Sequence, residues 1–179
     1  MFKKKWLVLL VIAGALSALL AGCGKSEEEK LLEELENVFG SSITTVEEGT
    51  PEATLQEIDN FITRDIWNKG FVDISWYINS GTSSTGATID IDLTLERLGQ
   101  SIEKKREYDT VINELGDDYA QIKDIWSKLS GEIDSLYEYA SQNKPEAKSG
   151  DSGFDTGLFK QYSEAFGDDV AALIEKQQQ

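Results

Sequence analysis

The sequence predicts an all-α protein, an antiparallel bundle of about four helices that follows an amino-terminal signal segment and a tether. Two observations carry that prediction. Apolar residues recur at three- and four-residue spacings in successive stretches beyond residue 50, the period of a helix with one buried face. In one stretch Ile122, Trp126, Leu129, Ile133, Leu136 and Ala140 follow each other at spacings of 4, 3, 4, 3 and 4, the seam of a helix packed in a bundle. The organisation read from this is a signal segment at 1–22, a tether at 23–49 and a helical domain at 50–179.

Within the tether, Ser26 to Phe39 has the marks of a short helix: Ser26 as cap, three glutamates in the first turn, and Gly40 as its stop. Its dense charge suits an extended tether equally well. Thr50-Pro51 then opens the first bundle helix, since proline is at home in a first helical turn. Ile58, Ile62, Ile66, Gly70, Ile74 and Ile78 follow at every fourth position. In an α-helix each such step overshoots a turn by about 40°, so the row is expected to wrap halfway round. With Phe61, Trp67, Phe71, Val72, Trp76 and Tyr77 added, the later half reads as apolar on most sides, as a central element would. Gly70 either permits close packing there or marks a bend.

Asn79 to Gly86 is a loop. On either side of it Val72, Ile74, Trp76 and Ile78, then Ile89, Ile91, Leu93 and Leu95, alternate with other residues. This leaves an α+β alternative, with a β-hairpin at 71–95. The helical reading is favoured because Leu95, Leu98, Ile102, Tyr108, Val111, Ile112 and Leu115 continue at helical spacing until Gly116, without a new start signal. Asp117-Asp118 opens the next helix. Asn143 to Gly153 reads as a flexible connection, and Asp155 or Thr156 caps a last helix bearing Leu158, Phe159, Tyr162, Phe166, Val170, Leu173 and Ile174.

The chain has 33 acidic and 17 basic residues and a formal net charge of −16. All the acids lie after Cys23, whereas Lys3, Lys4 and Lys5 lie before it. Cleavage before Cys23 leaves a body of net charge −19 over 157 residues. Such a body is repelled by nucleic acid and by anionic lipid, so neither is expected as a partner of the head. With no histidine and one cysteine, Ser-His-Asp and Cys-His catalysis are excluded, most zinc sites go with them, and no disulfide can form within the chain.

Met1 to Lys5 is basic, Trp6 to Leu20 is almost continuously apolar yet short for a membrane span, and the segment ends in small residues. The closing tetrapeptide, Leu20-Ala21-Gly22-Cys23, closely resembles the lipobox of bacterial lipoprotein precursors. The resemblance implies cleavage between Gly22 and Cys23, a diacylglycerol on the Cys23 thiol, and attachment to the extracytoplasmic face of the cell membrane. Two fatty chains suit this role, because one alone binds a membrane only marginally. The Cys-Gly-Lys-Ser junction resembles Gram-positive lipoproteins. Asp73-Ile74-Ser75-Trp76-Tyr77, with Ser80 to Gly86, is likewise similar to small lipoproteins of those bacteria, and implies no activity. Gly24-Lys25-Ser26 imitates the end of a phosphate-binding loop, but position 19 is Leu where that loop needs glycine.

Other constellations have ordinary readings. Asp155-Thr156-Gly157 matches an aspartic-protease triplet, yet that chemistry needs two aspartates sharing a proton, and a helix cap explains this one. Asp90, Asp92 and Glu96 carry oxygen ligands without the spacing of a calcium loop. Asp73, on a mostly apolar stretch, needs a partner, for which Arg64, Arg97 and Arg106 are candidates. The expectation is a non-enzymatic binding or interaction module at the cell surface, with a protein, peptide or envelope component as partner and no catalytic residue, cofactor or metal. The alternative is a small-molecule or cation receptor, whose pocket between helices is lined by Trp67, Phe71, Trp76, Tyr77, Tyr108 and Trp126.

Overall fold

A computed structural model of the chain describes residues 49–151 and 153–177, all within one unit, Thr45–Gln179. The lipobox, Cys23 and the tether helix lie outside the described residues. Thr50 caps the first helix: its Oγ1 accepts the Ala53 amide at 3.2 Å, and Pro51 occupies the first turn. Helix α1 (Pro51–Phe61) passes without a break into a π-helical segment (Ile62–Phe71) and then α2 (Val72–Ser80), so the three form one rod. Three more helices follow: α3 (Ile91–Glu114), α4 (Ala120–Gln142) and α5 (Gly157–Gln177), with a 3₁₀ turn (Asp117–Tyr119) ahead of α4.

The rod packs on α3, α3 on α4, α4 on α5, and α5 returns to α1, which closes an antiparallel four-helix bundle. The contacts give the directions. Late α3 meets early α1 through Tyr108 and Glu57, and early α3 meets the later rod where Leu98 faces Gly70. Late α4 meets early α3 where Tyr137 faces Gly99, and Trp126 of early α4 packs on Phe166 of α5. No β-strand occurs among the described residues, and no helix there is long and apolar enough to cross a membrane.

The π segment explains why the four-residue row does not wrap. A π turn closes i→i−5 hydrogen bonds, as from the Val72 amide to the Trp67 carbonyl, so one turn takes more than four residues. A step of four then undershoots the turn, and the drift changes sign across the middle of the rod. Ile58, Ile62, Ile66, Gly70, Ile74 and Ile78 therefore all remain buried. The later half of the rod is not buried on every side: Trp76 is 49% exposed. At Gly70 the chain uses the missing side chain for close packing, since a Cβ there would lie 2.8 Å from Leu98 Cδ1.

The hairpin alternative at 71–95 does not form. Gly81 ends α2 in the left-handed conformation (φ 77°) that glycine adopts without cost, its amide bonded to the Tyr77 carbonyl. The start signal that the sequence reading lacked is Asp90, whose Oδ1 accepts the amides of Asp92 and Leu93. Ile91, Thr94 and Leu98 then face inward at helical spacing and Leu93 outward. The connection after α4, read as flexible, is tied to the end of α2: the Lys148 and Gly150 amides donate to the Tyr77 and Ile78 carbonyls.

The seam of α4 is buried at all six expected positions. The stripe on α3 hides a residue that composition alone would place outside. Lys105, fully buried, fills the gap between Ile102 and Tyr108. Its ammonium donates to Ser130 Oγ at 2.6 Å, Asp109 Oδ2 at 3.0 Å and Asp134 Oδ2 at 3.1 Å. Asp109 Oδ1 in turn accepts from Trp126 Nε1 and Ser130 Oγ. All three ammonium donors are thus used in a closed network that joins α3 to α4 at one register.

Candidate functional site

A groove of about 570 Å³ lies between the rod and α3. The π segment supplies Arg64, Asp65 and Lys69 to one wall, Arg64 and Lys69 being five residues apart, one π turn. From α3 come Arg97, Gln100, Ser101, Lys104 and Tyr108, a stripe at spacings of 3, 1, 3 and 4 that keeps them on one face. The floor is an edge-to-face pair, Phe61 and Tyr108, with ring centroids 5.1 Å apart.

The electrostatics of this groove invert those of the rest of the chain. Between residues 49 and 177 there are 25 acidic and 12 basic residues, yet the groove holds four cations against Glu57 and Asp65. Asp65 is shared by two of them: Arg64 Nη2 lies 2.7 Å from Oδ2, and Lys69 Nζ 2.7 Å from Oδ1. The hydrogen bond from Arg64, with a further one from Lys69, holds the Asp65 carboxyl below its ordinary value. Lys104 sits 4.9 Å from the Tyr108 ring centroid and pairs with Glu107, which raises its pKa. Burial, reinforced by the bond its hydroxyl donates to Glu57 at 2.8 Å, pushes Tyr108 up to about 12, so the phenol stays protonated. Arg97 makes no ion pair among the described residues. The arrangement gathers hydrogen-bond donors and positive charge above an aromatic floor.

No protein-family model, curated protein or solved structure matches the chain.

The aromatic residues expected to line one pocket are dispersed. Trp126 and Phe71 are core, Trp76 is on the surface, and Trp67 stacks on Phe159 at 5.6 Å over a separate shallow concavity. Of the six, only Tyr108 reaches the groove. Asp73 is not held by an arginine; its Oδ1 accepts the Ser84 amide and hydroxyl, fixing the loop after α2. Arg64 and Arg106 pair instead with their neighbours Asp65 and Glu103. Of the two candidate caps, Thr156 holds the position next to α5, its carbonyl accepting the Lys160 amide, and Asp155 accepts the Gly157 amide at 2.9 Å in the turn just ahead of it. Asp90 caps α3, and Asp92 pairs with Lys144 at 2.6 Å. Among the described residues there is no group of three His, Cys, Asp or Glu able to hold a metal ion. Cys23 and Gly22 lie outside the described residues.

Sequence reasoning named Arg64 and Arg97 only as partners for Asp73, and did not single out Lys69 or Lys104. Arg97 and Lys104 are seven apart, a spacing that shares a helix face and could have been read. That Arg64 and Lys69 meet them depends on the π turn.

Proposed function

We propose that this chain is a bacterial lipoprotein, acylated on Cys23 and held on the extracytoplasmic face of the cell membrane, whose helical head is a non-enzymatic binding module. Location and anchor rest on Leu20-Ala21-Gly22-Cys23 at the end of a basic-then-apolar segment. The binding reading rests on one observation, a groove between helices with a local excess of positive charge on an otherwise acidic body. Concave sites with a few convergent polar groups over an apolar floor are where bundle proteins hold ligands.

The test is a photo-reactive residue placed at Ser101, in the groove, and at Glu138, on the exposed face of α4, in cells producing the lipidated protein. The binding-module reading predicts a specific adduct from position 101 that position 138 does not give, and that Cys23→Ala reduces by removing the anchor. Equal labelling at both positions would contradict it. The receptor form of this reading is favoured by the volume of the groove, which lies within the several hundred Å³ usual for small-molecule sites.

A further inference from the structure

We infer that the groove is a receptor site for a small oxyanion, a carboxylate- or phosphate-bearing molecule, held between Arg97 and Lys104 of α3 and Arg64 and Lys69 of the π segment. The inference rests on the binding-module reading and specifies its ligand class.

The charge contrast carries it. Two other concavities among the described residues are acidic on balance: one of about 340 Å³ is lined by Asp59, Glu164 and Asp168 against Lys160, another by Asp118 and Asp169 against Lys176. The groove between the rod and α3 reverses that balance. Its four cations face only two carboxylates in the lining, Asp65 and Glu57, the latter hydrogen-bonded by Tyr108. Arg64 and Lys69 share the single carboxylate of Asp65, the Lys104 counter-charge on Glu107 lies outside the groove lining, and Arg97 has no acidic partner among the described residues. An arriving oxyanion meets a guanidinium whose planar fork of donors matches a carboxylate or phosphate edge. Gln100 and Ser101 lie on the same face of α3 between Arg97 and Lys104 and offer neutral hydrogen-bonding groups. The acidic body outside the groove repels anions at long range, which disfavours large polyanions and anionic membranes and leaves a small ligand that fits inside.

Asp65 gives the inference a distinctive consequence. It already occupies two of the four cations, so it competes with the ligand. Removing its charge must strengthen binding, while removing a cation must weaken it.

The test is calorimetric titration of the full lipidated chain in neutral detergent with inorganic phosphate and with citrate, each against sodium chloride of matched ionic strength. The variants are Arg97→Gln, Arg97→Gln/Lys104→Gln, Asp65→Asn, and Lys128→Gln as a surface cation outside the groove, with helix content checked by circular dichroism. Saturable one-to-one binding of at least one oxyanion is expected. Arg97→Gln weakens it roughly tenfold, as loss of a charge-assisted hydrogen bond does. The double variant abolishes it, Asp65→Asn tightens it several-fold, and Lys128→Gln leaves it unchanged. No saturation beyond chloride, or equal binding by all variants, overturns the inference. If position 101 still crosslinks in cells while no oxyanion binds, the ligand class alone is wrong and the binding-module reading stands.

Discussion

Replacing Lys105 by methionine isolates the contribution of a buried charge to this bundle. The thioether has nearly the length of the lysine stem, so the change removes three hydrogen bonds and a charge while leaving little cavity. Asp109 Oδ2 and Asp134 Oδ2 lie 3.0 and 3.1 Å from the ammonium nitrogen, hence no more than about 6 Å apart, and lose the cation between them. At that separation two like charges repel by roughly 3 kcal/mol at an effective dielectric of 20. The side chains of Asp109 and Asp134 are 31% and 55% exposed, which screens the repulsion to about half. Adding the lost charge-assisted bonds and subtracting the gain from burying an apolar group leaves a destabilisation of about 2–3 kcal/mol. Asp134→Ala, by contrast, removes one well-solvated partner and costs under about 1 kcal/mol. Urea unfolding of the mature, unlipidated chain, followed by far-ultraviolet circular dichroism, reads both as shifts in midpoint at constant slope. A Lys105→Met protein that unfolds within about 0.5 kcal/mol of wild type, or an Asp134→Ala cost equal to that of Lys105→Met, would rule out a stabilising role for the buried ammonium.

Three further predictions use the same measurement. Gly70→Ala places a Cβ 2.8 Å from Leu98 Cδ1, and overpacking outweighs the helix-propensity gain, for a net loss of about 1–2 kcal/mol. Asp90→Ala removes the acceptor for two amides at the start of α3 and costs about 1 kcal/mol. Burial pushes the Asp59 carboxyl above its unfolded value, so the ionised group costs stability at neutral pH and that cost disappears as pH falls through the folded value. Asp59→Asn is accordingly more stable than wild type at pH 7, and the advantage vanishes below about pH 4; an advantage that persists there would show that charge is not its cause.

The bundle was legible in the sequence wherever packing follows simple helical spacing. The α4 seam is the best case, because all six of its residues are apolar and none has a second role. Thr50 and Pro51 were legible for a different reason: a cap acts through the adjacent backbone and depends little on tertiary structure. Lys105 shows why part of α3 was not. A lysine is counted as exposed until Asp109, Ser130 and Asp134 are seen around it, two of them contributed by another helix. The break in the apolar stripe between Ile102 and Tyr108 was the available sign. The π segment was hidden more deeply, since its widened turn is not written in any residue type, and with it went the groove that depends on where Arg64 and Lys69 fall. Asp90 was overlooked as a cap because the alternation of Ile89, Ile91, Leu93 and Leu95 obscured the helix start.

Intact and peptide mass spectrometry of material purified from the membranes of its own cells tests the proposal that Cys23 is the acylated amino terminus of a surface protein. The expected chain begins at Cys23 and is heavier by at least a diacylglyceryl group, with Cys23→Ala recovered as the uncleaved precursor. A chain beginning at Met1 with a free thiol would contradict it.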